Sequence, residues 1–284
     1  MELEEPNDGS MEEVGAASDY VGFPGARSVP GTVSREIAET AVRRLFERRD
    51  APPAYVAPAP RTAQVEALCK ALISPDPGAG QDMIDALCAS GTSADTLYLD
   101  YIAAAARRLG EHWTDDRYGF LEVTLGAARL HAILRTLKPR FFDGAPVRSN
   151  GLRALFAPVP GEDHSLGVVM AADFFRRSGW QVDLTIRAEV DALADDLTAA
   201  PYDLVGLSGS SRVAKANLGA TVAMVRRHAP GVPIAVAGQL FADHPDLAAS
   251  SGVDFLVDDV ASAPVVLADA VRSEVTPLTQ NGTC

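Results

Sequence analysis

The stretch Leu152–Arg153–Ala154–Leu155–Phe156–Ala157–Pro158–Val159 is a short, almost continuous apolar run. Pro160–Gly161–Glu162–Asp163–His164–Ser165–Leu166–Gly167 follows it at once, a polar turn leading into a helical pattern. A strand that is apolar on both faces belongs inside a parallel sheet. The unit then recurs. Strands are expected at Leu152–Val159, Val182–Ile186, Leu204–Ser208, Ile234–Ala237 and Val253–Val257. Helices are expected near 165–178, 190–199, 213–228, 241–250 and 261–272. Five βα units in succession predict a doubly wound, five-stranded parallel α/β domain of flavodoxin-like, Rossmann type over residues 151–273.

Upstream the period changes from two to three or four. Val65, Leu68, Cys69, Leu72 and Ile73 form one helical stripe, and Met83, Ile84 and Leu87 a second ended by Gly91. Thr92 and Ser93 cap a third, with Leu97, Tyr98, Tyr101, Ile102, Ala105 and Leu109. A fourth runs from about Tyr118 to Leu137 through Leu121, Thr124, Leu125, Ala128, Leu130, Ile133 and Leu134, with Pro139 opening a linker. Four helices with short connections over residues 61–140 predict a small antiparallel bundle.

The flanks differ in composition. Residues 1–20 carry seven acids and no base, and prolines cluster at Pro52, Pro53, Pro58 and Pro60. Residues 1–60 read as an acidic, Pro-rich, largely disordered tail. One short amphipathic helix is expected from Ser34 to Arg49. Residues 274–284 read as a C-terminal tail. The 284 residues carry a formal charge of −13, which argues against broad contact with nucleic acid or anionic membrane. Three scattered cysteines, Cys69, Cys88 and Cys284, suit neither a disulfide framework nor a Cys-based zinc site. With no 18-residue apolar run and no apolar leader at the N-terminus, a cytoplasmic location is expected.

Ligands of such a sheet bind beyond the C-terminal strand edge, so the loops there hold the candidate chemistry. The first loop sets His164 at a helix start with Glu162 and Asp163 beside it, and a carboxylate partner fixes the tautomer of a metal-ligating imidazole. Taken alone, His164 reads as a helix-start residue. The loop after the third strand, Gly206–Leu207–Ser208–Gly209–Ser210–Ser211, is small and rich in hydroxyls, yet lacks the last glycine of a nucleophile elbow. The loop after the fourth strand holds Ala237 and Gly238.

Together the three loops resemble the cobalamin-binding signature Asp-x-His-x-x-Gly, Ser-x-Leu, Gly-Gly. Forty residues lie between Gly167 and Ser208, and 26 between Ser210 and Ala237. Glu162 stands for the Asp, Ser210 for the Leu, and Ala237–Gly238 for the Gly pair. The resemblance implies that His164 is the lower axial cobalt ligand, displacing the dimethylbenzimidazole of the cofactor. It implies that Ser208 hydrogen-bonds the displaced base, and that Gly167, Gly209 and Gly238 make room for its tail. Ser165, Ser210 and Ala237 complete the lining. In the bundle, Trp113 resembles the residue laid over the upper corrin face. Light-sensing corrinoid regulators carry Glu-His ten residues after that Trp. Here those positions are Val123 and Thr124, so contact with an adenosyl group is not expected from them. His131 and His112 are the candidates for a side-chain upper ligand; His228 and His244 read as ordinary surface residues.

Gly119–Phe120–Leu121–Glu122–Val123–Thr124–Leu125–Gly126 and Pro160–Gly161–Glu162–Asp163–His164 are similar to the AerR/PpaA group of cobalamin-binding antirepressors of photosynthetic bacteria. The resemblance implies a non-enzymatic, light-responsive regulator that takes hydroxo- (aquo-), methyl- or adenosylcobalamin and acts on a CrtJ/PpsR-like repressor. No helix-turn-helix module precedes the bundle, so direct sequence-specific DNA binding is not expected. The alternatives are a corrinoid carrier protein of a methyltransferase system and a haem sensor on the same scaffold.

Overall fold

A computed structural model describes residues 62–145, 148–186 and 189–274. The expected helix at Ser34–Arg49 and the tails at 1–60 and 275–284 lie outside the described residues. The first layer is helical: α1 (Thr62–Ile73), α2 (Ala79–Ala89), α3 (Ala94–Thr96), α4 (Ala103–Thr114) and α5 (Phe120–Phe141). A π-helical segment, Leu97–Ile102, joins α3 to α4, so the three run as one rod. Ser93 caps it, its hydroxyl accepting from the Thr96 N–H at 3.1 Å. The wider turn of the π segment puts Leu97, Tyr98, Tyr101 and Ile102 into the core together.

The second part is β1 (Arg153–Pro158), α6 (Leu166–Arg177), β2 (Gln181–Leu184), α7 (Val190–Ala199), β3 (Leu204–Ser208), α8 (Arg212–His228), β4 (Ile234–Ala237), α9 (Gln239–Asp243), α10 (Pro245–Ser250), β5 (Phe255–Val257) and α11 (Ala263–Glu274). The strands pair in parallel in the order β2-β1-β3-β4-β5. This is the expected doubly wound sheet. Leu193, Leu197, Leu218 and Val225 of α7 and α8 cover one face, and Val168, Phe175, Leu267 and Val271 of α6 and α11 the other. The chain changes sides between the neighbours β1 and β3, where Pro158 pairs with Ser208. A crevice opens at that switch point.

Two boundaries differ from expectation. The region near 241–250 is two short helices, because His244 leaves helical geometry at φ −134° and Pro245 starts the second. The fourth bundle helix runs through Pro139 to Phe141. A proline in the last turn removes one hydrogen bond. Burial of Phe141 compensates: its ring stacks on Tyr98 at 3.9 Å and meets Phe174 of α6 edge-on at 4.9 Å.

These aromatics also seat the bundle on the sheet. Met170 and Phe174 of α6 belong to the bundle's core. Asp173 is buried there, with the Lys138 ammonium 2.7 Å away and the Tyr98 hydroxyl at 3.5 Å. The Arg177 guanidinium pairs with Asp95 and lies 3.9 Å over the Phe141 ring. The bundle is therefore fastened to α6.

Candidate functional site

The site begins with the turn after β1. The Val159 N–H donates to the Ser208 carbonyl at 2.8 Å, and the Glu162 N–H to the Val159 carbonyl at 2.9 Å. Gly161 takes φ +86°, and a Cβ there would come within 2.7 Å of Val213. Asn217 of α8 holds the turn from outside, its amide donating to the Pro160 carbonyl at 2.8 Å. Glu162 is thereby directed inward, with only 2% of its surface exposed.

The buried Glu162 carboxylate organises the site. Its Oε1 accepts from the His164 N–H at 3.1 Å and from the His164 ring at Nδ1. Its Oε2 accepts from the Ser210 and Ser211 N–H groups at 2.7 and 2.8 Å. Ser211 is the N-cap of α8, so the negative charge sits at the positive end of a helix. Burial raises the carboxyl pKa. The bonds from His164 and Ser210 outweigh it and hold the group down to about 2. The bond to Glu162 raises the His164 imidazole above its ordinary 6.5 against the pull of burial, and the Asp163 charge adds to it.

The consequence is a defined tautomer. An ionised carboxylate can only accept, so Nδ1 of His164 carries the proton and Nε2 keeps its lone pair. The His164 side chain is 62% exposed, so Nε2 is presented outward. An imidazole fixed at Nδ1 by a carboxylate and free at Nε2 is the donor set that a metal such as cobalt takes from histidine.

The other sequence-predicted residues of the sheet edge gather around this turn. Ser208 ends β3 and is buried. A Cβ on Gly167 would meet only the Ser208 hydroxyl, at 3.8 Å, so the space above that hydroxyl is open. Gly209 and Gly238 have a tighter duty. Gly238 takes φ +114°, and a Cβ there would lie 2.4 Å from the Gly209 carbonyl oxygen. The Gly209 N–H donates to the Ala237 carbonyl at 3.0 Å. The two loops therefore touch through their backbones. Ser210 contributes its N–H to Glu162, a role the sequence did not show. Ser211 and Asn217 were missed, because backbone donors and a turn-holding amide leave no pattern in sequence.

The bundle supplies a second surface. The core takes Gly126, Leu130, Ile133, Leu134, Leu137 and Phe141 of α5. The opposite face is bare, with Phe120 71% and Leu121 78% exposed, and Leu125 also exposed. Leu121 and Leu125 were expected inside the bundle. Periodicity could not separate the two stripes because both are apolar. Trp113 is 46% exposed at the end of α4, its ring 6.4 Å from Phe120 in an edge-to-face pair. Thr124 is exposed on the same bare face, while Val123 is half-buried on the core side.

His131 lies further along that face. Its Nε2 is 3.4 Å from the hydroxyl of Ser165, the residue after His164. Burial, with help from Arg135, pushes its pKa below the ordinary value, which favours the neutral ring. Thr124 is seven residues back, about 10 Å along the axis at about 1.5 Å per residue. The bare apolar face therefore rises from the His164 turn. His112 is elsewhere. It is fully buried, with Nε2 3.0 Å from both carboxylate oxygens of Glu66. That places it inside the bundle and away from the exposed face. Among the described residues no group of three or more His, Cys, Asp or Glu forms a metal cluster. A metal here would rest on His164 and the rest of its own coordination shell. No described helix is long and apolar enough to cross a membrane.

Comparison with known proteins agrees with this geometry. Residues 152–266 match the family model described as B12 binding domain. The chain is 26% identical over 182 residues to an uncharacterised 20.5 kDa protein of the bchF-crtJ intergenic region of Rhodobacter capsulatus, covering 63% of this chain and 94% of that protein. The fold is similar to that of the monomethylamine corrinoid protein of Methanosarcina barkeri, with a TM-score of 0.61 and 11% identity over 74% of this chain and 99% of that one. The switch-point crevice and the His164–Glu162 pair both lie within residues 152–266, the stretch that matches the B12 binding domain, and this match supports cobalamin as the ligand of the site.

Proposed function

We propose that the chain is a cobalamin-dependent regulator, an antirepressor of AerR/PpaA type that acts on a CrtJ/PpsR-like transcriptional repressor and responds to light. It is not proposed to catalyse a reaction. The observation that carries the reading is the pairing of a preset lower ligand with an upper face that lacks an ionisable side chain at positions 123 and 124. The relative encoded between bchF and crtJ adds support.

Within this reading, His164 would hold cobalt through Nε2 with Glu162 fixing the ring. Ser208 would meet the nucleotide tail of the cofactor, and the Trp113–Phe120–Leu121–Leu125 face would cover the corrin. Cobalamin would supply light-sensitive cobalt chemistry when bound. The protein supplies orientation, an apolar cover and two bodies packed together along α6. A change in the upper ligand alters how closely the bare face can lie over the corrin, and the exposed area of that face then changes. That is a ligand-linked two-state switch. His131, beside the His164 turn, is the side chain best placed to meet the corrin rim or an emptied upper position.

The test uses the purified chain loaded with hydroxo-, methyl- or adenosylcobalamin, in darkness and after illumination. It is titrated onto a CrtJ/PpsR-like repressor bound to fluorescent operator DNA. One loaded state should release the repressor. Equal operator occupancy in every state would sink the reading. A corrinoid carrier of a methyltransferase system is the second reading, favoured by the shared architecture of the monomethylamine corrinoid protein. Methyl transfer from the loaded chain to a partner methyltransferase would favour it.

A further inference from the structure

We propose that His112 is a positioning residue for the aromatic cover of the corrin, setting Trp113 and Phe120 by locking the α4–α5 corner from inside the bundle. The proposal rests on the reading that Trp113 lies over the corrin.

Three bonds converge on this one residue. Its Nε2 meets Glu66 of α1 at 3.0 Å. Its carbonyl oxygen accepts from the Arg117 and Tyr118 N–H groups at 2.8 and 3.2 Å, closing the turn after α4. Its ring lies edge-on to Tyr118 at 4.6 Å. The turn itself is tight, with Asp116 at φ +54°. Phe120 begins α5 just beyond, where Glu122 reaches back to accept from the Gly119 N–H at 2.6 Å. Trp113 is the next residue along from His112. The corner that presents both exposed aromatics is thus tied to α1 by the buried His112 imidazole, with Arg108 one turn back on α4 bound to the same carboxylate.

Glu66 is itself built to hold that ring. Arg108 donates to it from Nε at 3.0 Å and to Glu111 from Nη1 at 2.7 Å. The Arg108 bond lowers the Glu66 pKa against burial, and His112 lowers it further, so the carboxylate stays charged. A residue serving only to fill the core would be apolar. His112 instead leaves Nδ1 buried with no partner among the described residues. An orphaned buried nitrogen is unfavourable, and such local violations are characteristic of positions kept for function. The polar contact with Glu66 is the gain that offsets it.

The test is hydroxyl-radical footprinting of Trp113 on the full chain, with and without hydroxocobalamin, read by peptide mass spectrometry. Trp180 is buried at 3% and serves as the internal reference. In the wild-type chain and in H112Q, whose amide still donates to Glu66, hydroxocobalamin should protect Trp113. In H112F and in E66A the protection should be lost, while the visible spectrum of the His164-ligated cofactor is kept. E66A changes a partly exposed carboxylate, so it serves should H112F fail to fold. Full protection in both H112F and E66A overturns the proposal and leaves His112 a packing residue. Absence of protection in the coloured wild-type chain overturns the upper-face reading beneath it, and the proposal with it.

Discussion

Glu162 is one methylene longer than the aspartate of the pattern it resembles, and the extra reach is used. One oxygen serves His164 and the other the Ser210 and Ser211 amides, so the His164 turn is tied to the start of α8. E162Q keeps the volume and loses the charge that fixes the Nδ1–H tautomer. It should weaken hydroxocobalamin binding by about 10–100-fold, as outer-shell changes at metal sites do. Equilibrium titration followed in the visible bands measures this. The same pair sets a pH dependence. The His164 pKa is raised, so its contribution to apo stability is present below 6.5 and fades as pH rises through the folded value. Glu162 is depressed from 4.5, so its contribution is present above 4.5 and is lost as pH falls towards about 2. Cobalt needs Nε2 unprotonated. Hydroxocobalamin affinity should therefore fall towards acid from a point above 6.5, which titrations across pH 5 to 8 would show as about a tenfold loss per unit on the acid side. An affinity that held flat to below 6.5 would contradict the geometry. At this scale the spacing in the sequence is enough to single out His164, Glu162 and Ser208 as side chains, and the structure brings them to one sheet edge. Ser211 and the amide of Ser210 were not legible, because what they offer is backbone.

Among the elements, α5 is the informative one, being apolar on two opposite faces. Leu130 belongs to the core and is 1% exposed, whereas Leu121 is 78% exposed. L130A should cost about 2–5 kcal/mol of stability. L121D should change stability by no more than about 0.5 kcal/mol. Chemical denaturation of the apo chain separates them. The order should invert for the cofactor, with L121D losing hydroxocobalamin on gel filtration and L130A retaining it at low temperature. The sheet was nearly all legible: β3 and β4 fall where their apolar runs predict, since a strand buried on both faces has no second reading. The bundle helices were legible in number and order. Which stripe of α5 faces inward was not, because that is decided by the neighbours α1 and α4. Leu109, which a Cβ on Gly126 would approach to 2.8 Å, marks the side they occupy.

For the whole molecule, the two bodies are joined along α6, whose Leu166, Val169, Met170 and Phe174 all pack on the bundle core. Asp173 and Lys138, Asp95 and Arg177, and the Tyr98–Phe141–Phe174 aromatics all lie at the α6 junction. K138M leaves the Asp173 carboxylate buried with one partner fewer, and breaking such a pair costs up to about 3–5 kcal/mol. The partly exposed lysine places the expected loss at the lower end, to be read as a fall in denaturation midpoint. The charge of −13 argues against broad contact with nucleic acid and is compatible with the proposed protein partner. The account stands most directly on His164. Wild-type chain and H164A, each mixed with hydroxocobalamin in darkness and passed through gel filtration, give the measurement. The wild-type protein peak should carry the cobalamin visible bands, while H164A should elute colourless at the folded elution volume with a native far-UV circular dichroism spectrum. An H164A peak that keeps the same bands at the same stoichiometry would contradict it.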